Sequence, residues 1–323
     1  MIGKNMEYTI EEALKVDEYE CYDFLIRFES GSPLYFRLST NPNELIVCTT
    51  KARRMLRRSG IHYYEDHDEK PFGIIQIPST ITYHNKSYKV TEIVENTFGD
   101  CTLLQQVEIP ETVQKIGWNV FSNTSVKVIN HAPNYTIIDG ALYTIDKKNL
   151  IYVPKNCEHI AIPKSVEIIS NDAFRGCSLL QQVVLPEGLQ EIGKRAFRDC
   201  TALQQIVIPD SVTYVGWDAF QGCTALQHAQ LSNAMHVIDE SLFDGCTSLQ
   251  EITFPASITK IEWKAFQNCI ALQQVEIPAT INNIGTEVFQ GCTSLKHATL
   301  HDRNLEYEED TFPKYTRITF LDE

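Results

Sequence analysis

The stretch Phe197-Arg198-Asp199-Cys200-Thr201-Ala202-Leu203-Gln204-Gln205-Ile206-Val207-Ile208-Pro209-Asp210-Ser211-Val212-Thr213-Tyr214-Val215-Gly216 decides the reading of this chain, because its apolar skeleton returns every 23 residues. The phenylalanine recurs as Phe174, Phe197, Phe220, Phe243, Phe266 and Phe289. Phe312 continues the series, and Phe98 and Phe121 form an earlier pair at the same spacing. A cysteine follows its phenylalanine by three at Cys101, Cys177, Cys200, Cys223, Cys246, Cys269 and Cys292. A fixed period of this length marks stacked units, none of which buries its apolar face alone.

Within one unit, Leu203-Gln204-Gln205-Ile206-Val207-Ile208 matches the strand signature of leucine-rich repeats. Ile206 and Ile208 stand two apart, the strand period, so both point to one side. Pro209 ends the strand, since it has no N–H to give to a ladder. A second extended piece, Val212 to Gly216, is expected on the opposite wall, with a tight turn bringing in the next phenylalanine. The coils then form a parallel ladder rising about 4.8 Å per step. The expected fold is a curved, mostly β leucine-rich-repeat solenoid of about nine coils of 23 residues.

The pattern has two ends and one interruption. Gly73-Ile74-Ile75-Gln76-Ile77-Pro78 reads as the first strand, and Tyr83-His84-Asn85-Lys86-Ser87-Tyr88 as a polar excursion. Phe174 follows Phe121 by 53 residues, one period plus 30. This insert, at about residues 124–160, holds two apolar runs, Gly140 to Ile145 and Leu150 to Val153, around Asp146-Lys147-Lys148-Asn149. That predicts a β-hairpin. The ladder resumes at Ile160-Ala161-Ile162-Pro163, with Cys157 in the leucine position. At the far end Tyr315 replaces the cysteine, and Ile318 and Leu321 take the leucine and valine positions of a terminal cap.

Residues 1–70 differ in kind and are expected to form an N-terminal cap, with the solenoid spanning 71–323. Thr9 with Glu12 makes a capping box for a short helix to about Val16. Tyr22 to Phe28, Leu34 to Leu38 and Leu45 to Cys48 read as strands separated by Gly31-Ser32-Pro33 and Asn41-Pro42-Asn43. They would shield the open face of the first coil.

Of the 323 residues 43% are hydrophobic, enough for a continuous core. The formal charge is −14 and the pI about 5.1. That balance argues against nucleic acid, which needs a basic face, and against adhesion to anionic lipid. No apolar run is long enough for a membrane-spanning helix. The start, Met1-Ile2-Gly3-Lys4-Asn5-Met6-Glu7, lacks the apolar core of a secretory signal. The protein is therefore expected either to stay in the cytoplasm or to owe export to a signal outside this chain.

The motif Phe-x-x-Cys-x-x-Leu-x-x-Val-x-Ile-Pro-x-x-Val-x-x-Ile-Gly resembles the BspA-like class of leucine-rich repeats. Ile77-Pro78-Ser79-Thr80-Ile81, followed by Lys86 to Ile93, is similar to that family's first repeat. Ile138-Asp139-Gly140-Ala141-Leu142-Tyr143 with Leu150-Ile151-Tyr152-Val153-Pro154 is similar to a recurring variant. The resemblance covers about residues 71–323. It implies a surface or secreted protein, mostly of host-associated bacteria, that adheres to host matrix or receptor proteins.

Ten cysteines with no CxxC pair exclude the usual zinc and thioredoxin-like spacings. The cysteine column is expected to be structural, since free cysteine behaves as a small buried hydrophobe. Its shared orientation disfavours disulfides. Cys21 and Cys48 remain a possible pair. The outward strand positions are the candidate binding face: one column reads Gln106, Gln182, Gln205, His228, Glu251, Gln274 and His297. The next reads Glu108, Val184, Val207, Gln230, Thr253, Glu276 and Thr299. Neutral amides cost little to desolvate, which suits a peptide or glycan; the alternative is a glutamine ladder bonded to itself. His228 and His297 lie three coils apart, about 14 Å, too far to share one metal ion.

Trp118, Trp217 and Trp263 share the register three residues before phenylalanine, where other repeats carry Asn171, Lys194, Glu240 and Thr286. A position that tolerates charge is exposed, so these are candidate convex aromatics for a partner, or each packs on its own turn. Lys51, Arg53, Arg54, Arg57 and Arg58, with Glu65, Asp66, Asp68 and Glu69, read as a solvated, self-paired loop. No Gly-x-Ser-x-Gly, His-Glu-x-x-His or phosphate-loop motif is present. The sequence therefore points to a non-enzymatic protein-binding repeat protein, with no cofactor, metal, nucleic-acid partner or membrane insertion expected. A surface adhesin is the leading reading and an intracellular scaffold the alternative.

Overall fold

The computed structural model describes residues 8–12, 22–48 and 69–321. The fold is an all-β solenoid of about ten turns at a spacing of about 23 residues. Among the described residues there is no helix. The chain divides into two compact units, Met1–Ile137 and Ile138–Glu323.

In the first unit, β1 (Tyr8–Glu12), β2 (Phe24–Phe28), β3 (Pro33–Leu38) and β4 (Glu44–Cys48) form an antiparallel run. β1 corrects the expected helix: Tyr8 to Glu12 pair residue by residue with Phe28 to Phe24. The local capping box lost to a cross-strand ladder, because helix propensity is a weak prior against tertiary pairing. Residues 13–16 of that expected helix lie outside the described residues. The other N-terminal strands start within two residues of where the apolar runs predict them.

The first coil supplies β5 (Gly73–Gln76), β6 (Thr80–Tyr83) and β7 (Lys86–Ile93). β6 and β7 are an antiparallel hairpin, so the polar excursion is a turn. Its tip, His84-Asn85, has φ of 49° and 61°, the left-handed pair that a tight hairpin needs. β4 pairs in parallel with β7, which pairs in turn with Lys115–Ile116. β4 therefore extends the ladder of the second-strand wall. On the first-strand wall, Leu104–Ile109 lies between β5 and Lys127–Asn130, all parallel.

The second unit opens on the expected hairpin, Ala141–Thr144 with Asn149–Tyr152. Asn149–Tyr152 then founds a parallel ladder with Ile168–Ile169, Glu191–Ile192 and Tyr214–Val215. Val153 takes the phenylalanine slot of this coil. Its N–H bonds Ala173 O at 2.8 Å, as Phe174 N–H bonds Ala196 O at 2.7 Å. The first-strand wall shows Gln205–Val207 beside His228–Gln230, and Gln274–Ile277 beside His297–Leu300 and then Arg317–Phe320.

The final coil corrects one detail. Ile318 lies opposite Ala298, in the valine position, so this coil is three residues shorter than 23. With Pro313 in the turn, the shorter route still sets Ile318 against the core. Leu321 is exposed, and Tyr315, which follows Phe312 by three, points into solvent.

In the second unit the repeat phenylalanines form one buried stack. Rings from Phe174 through Phe312 lie nearly parallel with successive centroids 4.6, 5.3, 5.4, 5.4, 5.5 and 5.3 Å apart. The coil rise holds the rings at contact distance. Each phenylalanine from Phe174 to Phe289 is flanked two residues either side by a left-handed residue, for example Asp172 and Gly176, Arg195 and Asp199, Asp218 and Gly222, Glu287 and Gly291. This explains the Gly, Asn or Asp preceding each cysteine, the types that tolerate positive φ best.

The cysteine column has a defined role in the turn. Cys200 Sγ donates to Phe174 O at 3.2 Å, Cys223 to Phe197 O at 3.2 Å and Cys246 to Phe220 O at 3.2 Å. Cys269 and Cys292 repeat the contact with Phe243 O and Phe266 O. Each thiol thus ties its coil to the carbonyl of the coil before. Burial pushes the Cys200, Cys223, Cys246 and Cys269 thiols up, so they stay protonated and unreactive. Cys21 lies outside the described residues.

Candidate protein-binding face

Strand alternation builds the face. In the second unit Ile206, Ile252 and Val275 are buried, and the neighbours on either side of each turn outward. Gln182, Gln205, His228, Glu251, Gln274 and His297 are all exposed. So are Val184, Val207, Gln230, Thr253 and Glu276, while Thr299 is half-buried. Ladder register puts Gln205 beside His228, Val207 beside Gln230 and Gln274 beside His297. Gln106 and Glu108 belong to the first unit, where both are half-buried.

The face is chemically graded. From Gln182 through Gln230 it carries no carboxylate, and its centre is apolar: Val184 is 83% exposed and Val207 54%. A β-branched apolar side chain left in water gains nothing in the free protein, so an exposed pair in register is the kind of patch a partner covers. Further along, carboxylates meet histidines. Glu251 Oε1 is 3.8 Å from His228 Nδ1, and Glu276 Oε1 2.6 Å from His301 Nε2. The first unit repeats the second geometry at Glu108 and His131, 3.0 Å apart. In both, histidine replaces the proline that ends the strand and reaches back to the preceding coil.

The tryptophans sit elsewhere, beside the turns. Trp118 and Trp263 are exposed and Trp217 is half-buried. Lys264 Nζ lies 4.1 Å above the Trp263 ring, while Lys194 and Arg195 cover Trp217 at 5.3 and 4.8 Å. Cations that stack on indole rings take up the faces a partner would use. The cluster Lys51 to Arg58, with Glu65, Asp66 and Asp68, lies outside the described residues. Glu69 is ion-paired with Arg27 at 2.7 Å.

One array was missed in the sequence. Asp172, Arg195 and Asp218, successive residues of the left-handed column two before phenylalanine, alternate in sign. Asp172 is 1% exposed and receives Arg195 on both oxygens at 2.9 to 3.2 Å. Arg198 Nη1 reaches Asp218 at 3.0 Å. Burial raises the Asp218 carboxyl to about 6, against the pull of Arg198 and Arg195. Charges of alternating sign 23 residues apart were the signal; they read as ordinary surface charge until the coils are stacked.

Among the described residues no group of three or more His, Cys, Asp or Glu is placed to hold a metal ion. Nor is any helix long and apolar enough to cross a membrane.

The sequence matches the family described as BspA type leucine-rich repeat region in six copies, over residues 75–148, 144–269 and 226–322. Among solved structures it is similar to a leucine-rich repeat protein from Bacteroides ovatus, at 23% identity and a TM-score of 0.45. That match covers 89% of this chain and 66% of the other, so this chain spans just under two thirds of that protein's length. A leucine-rich cell surface protein from Faecalibacterium prausnitzii matches at 19% identity and TM-score 0.43, covering 84% of this chain and 94% of the other. The pneumococcal vaccine antigen PcpA matches at 17% identity and TM-score 0.45, covering 93% and 94%. A search of curated proteins finds no match.

Proposed function

The chain belongs to the BspA-type leucine-rich repeat family, whose coils serve protein interaction, and on that premise we propose that it is a non-enzymatic adhesin whose outward strand residues receive a host protein. The observation that carries the reading is the exposed column Gln182, Gln205, His228, Glu251, Gln274 and His297, with Val184 and Val207 beside it. Inward positions of the same strands are spent on packing; the outward ones are free to be chosen for a partner. Neutral amides and valines favour an uncharged stretch of polypeptide, which loses little hydration on docking.

Placement at the cell surface rests on the family. In the same proposal residues 1–70 act as a cap and residues 71–323 as the repeat array. Two measurements test the reading. Protease shaving of intact source cells should cleave the protein while a cytoplasmic marker survives; protection until lysis would replace the adhesin with an internal scaffold. The double variant Gln205→Lys with Gln274→Lys should lose capture of matrix proteins with an unchanged fold. Undiminished capture would remove the strand face as the binding site.

A further inference from the structure

The turn wall of the second unit carries arginines that the binding face does not use and that its carboxylates pair unequally. Arg175, Arg195 and Arg198 face three carboxylates, Asp172, Asp199 and Asp218, in a chain whose net charge is −14. The pairing is uneven. Asp172 gives both oxygens to Arg195, leaving Arg175 a single contact of 3.5 Å with the same carboxylate. Arg198 holds Asp218 at 3.0 Å through one terminal nitrogen, and its Nε is 3.7 Å from Asp199, beyond hydrogen-bond reach. The Nε atoms of Arg175 and Arg198 are both buried without a hydrogen-bond partner.

The two arginines are equivalent residues of consecutive coils, each following its phenylalanine directly. Backbone hydrogen bonds join the coils beside them, Gly176 N–H to Arg198 O at 2.8 Å, so their origins lie one ladder step apart, about 4.8 Å. Their side chains are 27% and 32% exposed, enough to offer terminal N–H groups to solvent while the stems are held. A buried, unpaired guanidinium nitrogen carries a desolvation cost that an anion at the exposed edge would offset.

We propose that Arg175 and Arg198 form a subsite for a tetrahedral oxyanion, phosphate or sulfate. A planar carboxylate is satisfied by one guanidinium fork, as Asp172 is by Arg195. An ion that bridges two forks one coil apart needs more than two oxygens. Asp199 at the rim opposes the ion and sets its affinity.

The test is thermal unfolding of the full chain in sodium phosphate, sodium sulfate and sodium chloride at matched ionic strength. Phosphate and sulfate should raise Tm saturably above chloride. Arg175→Gln and Arg198→Lys should each weaken binding about tenfold, the loss of one charge-assisted contact. The second keeps the charge and removes only the fork. Asp199→Asn should tighten binding, which a purely structural role would not produce, and Lys264→Gln, three coils away on the same wall, should leave it unchanged. Equal shifts in all three salts, or wild-type binding by both arginine variants, would overturn the proposal. Phosphoserine and a sulfated disaccharide, run beside the inorganic ions, separate a free-ion site from one that reads an ester on a larger molecule.

Discussion

Within each coil of the second unit, the turn around phenylalanine and the outward strand positions obey opposite rules. At the turn, in the coils from Phe174 to Phe289, every position is specified: a stacked ring, two left-handed residues, a thiol bonded to the previous coil and a buried Ala, Val or Leu before the ring. On the strand wall the outward column runs Gln, Gln, His, Glu, Gln, His, and no one residue type is required there. The difference teaches where each kind of information is stored. Contacts repeated coil after coil set the fold, and positions without contacts in the free protein are available for a partner.

The comparison breaks first at the ring stack. Phe220→Ala should cost about 3–5 kcal/mol by opening a cavity between Phe197 and Phe243. Denaturant unfolding that shows no loss would mean the stack is not the core. Nearly as severe is a change where coils touch. A Cβ on Gly216 would lie 2.7 Å from Lys194 N, so Gly216→Ala should cost about 1–3 kcal/mol by overpacking. An unchanged Tm would show that neighbouring coils can spread.

Asp218 sharpens the contrast, because here the turn wall works against stability. Its carboxyl is raised to about 6 in the folded chain from the ordinary 3.8. Between those values the folded state holds the proton more tightly than the unfolded one. Stability therefore falls as pH rises from about 4 to 6, and the full penalty is present above 6. Its side chain is 14% exposed, so solvent screening is limited and the span is about 1–3 kcal/mol. Asp218→Asn should stabilise the protein more at pH 8 than at pH 5. Equal effects at the two pH values would show that the carboxylate is adequately compensated by Arg198.

The smallest expected effect is on the strand wall. Gln205→Lys with Gln274→Lys should change stability by no more than about 0.5 kcal/mol per site, the same pair whose capture of matrix proteins tests the binding face. A large loss would mean these amides are structural and erase the contrast.

Much of this was legible in the residues. The phenylalanine, cysteine and strand registers predict the stack, the buried thiols and the parallel ladder, and the insert reads directly as a hairpin. The N-terminal strand was not legible: Thr9 and Glu12 carry a strong local helix signal, and only pairing with Phe24–Phe28, more than ten residues away, overrides it. The last coil misled for a related reason. A 23-residue count placed Ile318 under leucine, whereas the shortened turn at Pro313 set it under Ala298.

The sequence by itself determined the period, the inward and outward faces and the absence of a familiar catalytic motif. These follow from side-chain spacing, which a strand converts directly into direction. Only the tertiary structure decided that Cys200 bonds Phe174 O, that Asp172 is claimed by Arg195, and that Trp217 lies beneath two cations. Those contacts join residues of different coils or depend on the fold of the turn. Their distances and desolvation come into being only when one coil is set against the next.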